Sequence, residues 1–287
     1  MKLGIFYSHP RIEEKALFSA AEKTNGVELI KIKDSELELD LYKKSVFLEC
    51  DVILLRSVSH TKNFYAARFL ESRKKVAVNS FSTISTCGDK FLTSIILAEK
   101  AIPTPRTKVC FDSETALNTI EKWGYPVVMK PVIGSWGRLL SKINDRDAAE
   151  TIIEHKKILG GITHANAFYI QEYIEKKQSR DIRAIVIGNK VVAAIFRKSE
   201  HWITNTARGS DTEPFPITQE FEKIVLSASA AVSDTSALLG VDLVETEEGL
   251  KVVEINSGVE FHGLMKTTDI DIPAKIIDFC KNCKPSF

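Results

Sequence analysis

Asp242, Glu254 and Asn256 are polar side chains set among apolar neighbours, with Val241 and Leu243 around the first and Val252, Val253 and Ile255 around the others. Glu254 and Asn256 are two residues apart, so on a strand they share a face. A paired strand can bring Asp242 beside them. Screening of a charged surface does not account for carboxylates in such company, and two of them brought close repel unless a cation joins them. Two carboxylates and an amide oxygen form a hard, all-oxygen set suited to a magnesium ion that bridges phosphates.

Two lysines stand in unusual places. Lys90 follows Cys87-Gly88-Asp89 at the start of a helix, and Lys130 ends the apolar strand Val127-Val128-Met129-Lys130. An ammonium at the end of a buried strand is costly unless it meets an anion. The loop that follows, Gly134-Ser135-Trp136-Gly137-Arg138, has glycines that let backbone N–H groups approach phosphate oxygens. A plain hairpin turn is the competing reading. A Walker A loop is excluded, because no Gly-Lys-Ser/Thr follows and no helix begins there. Gln171-Glu172-Tyr173-Ile174 ends a strand and can offer backbone groups to an adenine edge, with apolar side chains on either side of the ring. In Arg180-Asp181-Ile182-Arg183, Asp181 and Arg183 share a strand face. Arg183, Arg197 and Arg208 are candidates to clamp phosphate or carboxylate groups.

The elements that position these residues change in character along the chain. Up to about residue 80, short buried strands alternate with helices. Leu3–Phe6, Val27–Ile32, Val52–Leu55 and Val76–Val78 read as strands, and Phe64–Arg73 as a helix. Another helix opens at Ser8-His9-Pro10 and stops at Asn25-Gly26. This alternation implies a small parallel α/β unit. Helices over Lys90–Glu99, Glu114–Trp123 and Ala148–Ile158 surround strands at Val127–Lys130 and Phe168–Ile174. Beyond Arg180 the pattern is antiparallel. Ile182–Ile187 and Val191–Phe196 flank Gly188-Asn189, and Val241–Glu245 and Leu250–Ile255 flank Glu247-Glu248-Gly249. The fold class is α/β plus α+β, divided as residues 1–86, 87–166 and 167–287.

With 287 residues, 44% hydrophobic and net charge +1, the chain can build several cores and offers no global attraction for nucleic acid. No apolar run approaches the ~18 residues of a membrane span, and no export signal is evident. A cytoplasmic protein is expected, with Cys280 and Cys283 as ordinary thiols. The His-Arg-Asp and Asp-Phe-Gly elements of protein kinases are absent.

In this order the motifs resemble the ATP-grasp superfamily, its RimK-like branch, over nearly the whole chain. The resemblance implies ATP held between two lobes, with an N-terminal pre-grasp domain beside them. Lys90, Lys130 and Gly134–Arg138 would face phosphates, Gln171–Ile174 the adenine, and Arg180, Asp181, Arg183 and Asn205 the remaining nucleotide. Asp242, Glu254 and Asn256 would hold Mg²⁺. The chain is more narrowly similar to the LysX/ArgX group through Gly134–Leu139 and Asn256–Leu264. That likeness implies a ligase that activates the C-terminal glutamate of a small acidic LysW-type carrier protein as an acyl phosphate. Glutamate or α-aminoadipate then captures it, in arginine or lysine biosynthesis. Arg183 and Arg197 would act in catalysis, and Arg197 with Glu260, Phe261, His262, Gly263 and Leu264 would grip the amino acid. Gly263-Leu264 is nearer the ArgX pattern, His262 replaces a lysine, and both amino acids stay open. A homo-oligomer is expected. The alternatives are a RimK-like glutamate ligase acting on a ribosomal protein or a cofactor, and a nucleotide-binding module without catalysis.

Overall fold

In a computed structural model the described residues are all but 44, 135–137, 160–166, 205–209, 234–236 and 284–287. Three sheets organise them. The first is parallel, in the order β2-β1-β3-β4, from β1 (Lys2–Tyr7), β2 (Glu28–Lys33), β3 (Val52–Arg56) and β4 (Val76–Val78). Its central strand β3 is buried along its whole length, as expected where helices cover both faces of a parallel sheet. Helices α1 (Ile12–Lys23) and α2 (His60–Ser72) make the crossovers. The first helix begins at Ile12, later than Pro10. Arg11 is its N-cap, and the backbone N–H and Nε of Arg11 both donate to Glu14.

Helices α3 (Phe81–Gly88) and α4 (Lys90–Glu99) then lead to the second sheet, ordered β5-β8-β6-β7. It comprises β5 (Thr107–Cys110), β6 (Val127–Lys130), β7 (Ser141–Ile143) and β8 (Phe168–Glu172), backed by α5 (Ser113–Trp123) and α6 (Arg146–Leu159). The third sheet is antiparallel, β11-β10-β9-β12-β13, from β9 (Arg180–Gly188), β10 (Lys190–Lys198), β11 (Asp211–Pro214), β12 (Ala237–Thr246) and β13 (Gly249–Asn256). The β9–β10 turn uses Gly188 at φ +65°, a conformation that side chains with a Cβ resist. Helices α7 (Gln219–Val232), α8 (His262–Thr267) and α9 (Ile272–Asn282) complete the chain.

One apolar core joins the parallel sheet to the antiparallel one. It includes Leu3 and Leu54 from the former, Ile185, Ile195 and Leu238 from the latter, and Leu17, Phe261 and Ile276 from the helical segments packed on them. The second sheet has a core of its own, centred on Ile120, Met129, Ile143 and Ile170. Among the described residues, no helix is long and apolar enough to cross a membrane. Cys280 and Cys283 are both free thiols.

Candidate active site

Period-two alternation sets a row of charges across the antiparallel sheet. Asp181 and Arg183 of β9 point to one face, and pairing brings Arg197 of β10 opposite Asp181 and Asp242 of β12 opposite Arg183. Glu254 of β13 stands opposite Asp242, and Leu243 already pairs with Val252, so the strand bulges at Val253. Arg197 donates to both oxygens of Asp181, at 2.8 and 2.9 Å, and lies 3.1 Å from Asp242. Arg183 donates to Asp242 through Nε and, at 2.7 Å, through its terminal nitrogen. Burial opposes both charges, but the facing partners prevail: Asp181 and Asp242 raise Arg197, and Arg183 and Arg197 hold Asp242 below the usual carboxylate range.

The second sheet supplies the opposite wall. Lys130, at the end of β6, is buried and donates to Gln171 Oε1 at 2.9 Å, with its ammonium 5.2 Å from the ring centroid of Tyr169. Gln171 in turn donates to Thr107 and to the Tyr169 hydroxyl, both at 3.0 Å. Burial lowers the Lys130 ammonium to about 8, and nearby Glu254 resists that change. Lys90 is carried on the first turn of α4, which Asp89 caps by accepting from the N–H groups of Phe91 and Leu92. Its Nζ reaches Glu254 at 3.1 Å and the carbonyl of Gly134 at 2.5 Å, linking the helix, the loop and β13.

Between these walls lies a cleft of about 920 Å³, open solvent included. One end gathers Lys90, Lys130, Arg197, Asp181, Asp242 and Glu254. The other is largely apolar, with Val128, Leu140, Tyr173, Ile174, Trp202, Ile203, Leu243 and Val244. Tyr173 and Trp202 meet edge to face at 6.3 Å. The β8 ladder ends at Glu172, so the backbone of Tyr173 and Ile174 leaves the sheet at the cleft edge. Such an arrangement suits a flat apolar ring at one end and a polyanion at the other.

Other expected residues are placed differently. Arg180 alternates with Asp181, so it turns to the opposite face, where it bonds Glu245 at 3.0 Å and stacks 3.6 Å from Phe196. The carboxylate of Glu172 accepts from the Arg106 N–H at 3.0 Å and pairs with Lys251 at 3.3 Å. Gln171 serves as a holder of Lys130 and does not offer its side chain to a base. Gly134 and Arg138 line the cleft, whereas Ser135, Trp136, Gly137, Asn205 and Arg208 lie outside the described residues. Lys176, expected with Lys177 as part of a basic surface, and Thr204, which sequence reasoning passed over, both reach Asp181, and Lys176 donates to Thr204 at 2.6 Å.

Asn256 lines a second compartment of about 840 Å³, which shares Glu254 and Gly134 with the cleft and adds Arg11, Arg56, Ser57, His60 and Glu260. Of the six residues expected to grip an amino acid, Arg197 lines the cleft and Glu260 alone lines this compartment. Phe261, Gly263 and Leu264 are buried behind it, because α8 turns them into the shared core. His262 bonds Glu13 at 2.8 Å. Arg11, the N-cap of α1, and Arg56, at the end of β3, which sequence reasoning missed, form the charged side of this compartment, and both bind the buried Glu14 of α1. The signal available was an arginine ending the otherwise apolar strand β3.

Among the described residues no cluster of three or more His, Cys, Asp or Glu side chains forms a metal cage. The donors at the polar end are instead Asp242 and Glu254, with the amide of Asn256 adjoining. That set fits Mg²⁺, which binds through one or two carboxylates together with phosphates more often than in an all-protein cage.

Residues 87–280 match the RimK-like ATP-grasp domain, and residues 3–86 match the LysX preATP-grasp domain. The chain is 33% identical over 286 residues to the glutamate–LysW ligase ArgX of Sulfolobus acidocaldarius, covering 98% of this chain and 99% of that protein. It is 31% identical over 271 residues to the α-aminoadipate–LysW ligase LysX of Saccharolobus solfataricus, covering 94% and 97% respectively. The crystal structure of a RimK domain ATP-grasp protein from Sphaerobacter thermophilus superposes with a TM-score of 0.82 over 97% of this chain and 99% of that one. At 24% identity this is a likeness of fold.

Proposed function

The chain belongs to the RimK-like ATP-grasp family, and on that premise we propose that it joins an amino acid to the C-terminal glutamate of a small acidic LysW-type carrier protein. The observation that carries a ligase reading is the polar end of the cleft. Lys90 and Lys130 from one wall and Arg183 and Arg197 from the other converge on Asp242 and Glu254. This surplus of cations suits a triphosphate whose charge must be neutralised during phosphoryl transfer. The carrier and the amino acid rest on the two full-length relatives, which are named for LysW with glutamate or α-aminoadipate.

In this reading ATP gives its terminal phosphoryl group to the γ-carboxylate of the carrier, and ADP leaves. The α-amino group of glutamate or α-aminoadipate then attacks the acyl carbon. The amide forms, phosphate departs with the oxygen, and the nitrogen loses a proton. Glu254 and Asn256, with Asp242 once its arginines turn to phosphate, would hold Mg²⁺, which supplies charge neutralisation. The apolar end, with Tyr173 and Ile174, receives the adenine. The boundary at residues 86 and 87 follows the two family matches, whereas the expected boundary at 166 and 167 does not follow the sheets, because β8 (Phe168–Glu172) completes the second sheet and the division belongs after it.

The test is incubation with ATP, Mg²⁺, a LysW-type carrier ending in glutamate, and each amino acid in competition. A conjugate equal to the sum of the two masses less one water is expected, with one ADP per conjugate. ADP release without any conjugate, or neither, would remove the carrier reading.

A further inference from the structure

Strand β13 ends at Asn256, and its last rung pairs that residue with Gly240 of β12. Beyond this rung β12 reaches back to Ala237, paired along its other side with β9. The ending of β13 would leave the main chain of buried Leu238 without the partner that a further rung supplies. Asn79, the residue after β4 and only 3% exposed, takes that place with its side chain. Its Oδ1 accepts from the Leu238 N–H at 2.7 Å, and its Nδ2 donates to the Leu238 and Ser257 carbonyls, both at 2.8 Å. A carboxamide offers donor and acceptor as a peptide group does, so Asn79 extends the ladder across the end of β13. Two residues further on, the carbonyl of Val259 accepts from Arg56 at the end of β3. The chain that leaves Asn256 is thus held at Ser257 and Val259 by side chains of the pre-grasp domain.

Resting on the reading above that Glu254 and Asn256 hold Mg²⁺, we propose that Asn79 is a positioning residue of the metal site. By closing the β12–β13 ladder it fixes the strand end that carries Asn256, and so links the pre-grasp domain to metal affinity. Mg²⁺ tolerates little departure from octahedral geometry, whereas a nucleotide is held by many looser contacts. A strand end released from its last partners therefore costs the metal more than the nucleotide. Lys130 and the Tyr173–Ile174 edge belong to the second sheet and its exit, away from the three bonds of Asn79. Another contact joins the same two domains without touching either strand. The hydroxyls of Thr83 in α3 and Ser233 after α7 meet at 2.8 Å, and Thr83 is fully buried. Loss of that contact loosens the domains but leaves the end of β13 tied.

Calorimetric titration of the full chain with the ATP analogue AMPPNP, in Mg²⁺ and again in EDTA, separates the metal from the nucleotide without turnover. In the wild type Mg²⁺ is expected to tighten AMPPNP binding. Asn79→Ala should stay within about twofold of wild type in EDTA and lose about tenfold of the gain from Mg²⁺, the effect usual for partners that orient metal ligands. Thr83→Val should lower the melting temperature yet keep that gain. Hydrogen exchange in the wild type reads the same link if Asn79→Ala fails to fold. Because coupling is reciprocal, Mg²⁺ added to the AMPPNP complex should slow exchange of the Leu238 amide, and AMPPNP in EDTA should not. An undiminished gain in Asn79→Ala, equal weakening with and without Mg²⁺, the same loss in Thr83→Val, or Leu238 exchange indifferent to Mg²⁺ would overturn the proposal. No gain from Mg²⁺ in the wild type would instead remove the metal reading on which it rests.

Discussion

At Lys130 burial and charge pull in opposite directions. Burial favours the neutral amine and brings its titration to about 8, whereas the phosphates of a bound nucleotide favour the cation. ATP binding should therefore draw a proton onto Lys130 and weaken as pH rises through 8. At pH 9 the loss should be roughly tenfold, one pK unit corresponding to a factor of ten. Titration of ATP affinity at pH 7, 8 and 9 checks it, and Lys130→Met should abolish the pH dependence. The Glu13–His262 pair is shifted in opposite directions. Burial opposes ionisation of Glu13, but the bond from His262 holds it down at about 2; the same bond raises His262 above its ordinary 6.5. The contribution of Glu13 is present above its ordinary value of 4.5 and is lost as pH falls through 2. The contribution of His262 is full below 6.5 and is lost as pH rises through its raised value. The melting temperature should thus decline slightly between pH 6 and pH 9, and His262→Gln should remove that part of the decline. Single residues were legible in sequence where a charge stood within or at the end of an apolar strand, as at Asp242 and Lys130. The Arg11, Glu13 and Glu14 cluster was not, since acidic residues in a first helical turn ordinarily answer the helix dipole.

Helix α4 positions Lys90, and its geometry begins with Asp89. Asp89→Ala removes the acceptor for two orphan N–H groups, at a cost of about 1 kcal/mol. Because Lys90 is the next residue, the same change should raise the KM for ATP several-fold while the carrier KM moves little. Steady-state kinetics with each substrate varied in turn measures both. Close approach explains the residue before it: a Cβ at Gly88 would fall 1.9 Å from Cε1 of His60. The strands and helices with clear apolar periods were readable, including β6, β9, β10, β12 and α4. Helix α3 was not. Its sequence, Phe-Ser-Thr-Ile-Ser-Thr-Cys-Gly, has weak helix propensity, and its start depends on Ser80 accepting from the Thr83 N–H. The edge strands β5 and β11 are four residues each and acquire their form from their neighbours.

Across the whole molecule, the distribution of cores separates what is rigid from what is joined by charge. The parallel and antiparallel sheets share one apolar core, whereas the second sheet has its own and meets β13 through the Lys251–Glu172 pair. Phe261 is fully buried at the shared core, beneath the guanidinium of Arg56. Phe261→Ala should cost about 3–5 kcal/mol. Denaturant melts should show the first and third sheets destabilised together and the second little changed. The same core runs from the beginning of the chain to its last described helix. Leu3, Leu17 and Ala21 pack with Ile272, Ile276 and Cys280, and Lys281 donates to the carbonyl of Asn25 at 3.0 Å. During synthesis the opening βαβ segment therefore emerges with one flank bare. It stays so until more than two hundred further residues have left the ribosome and α9 arrives to cover it, so a segment made before α9 is finished only with it.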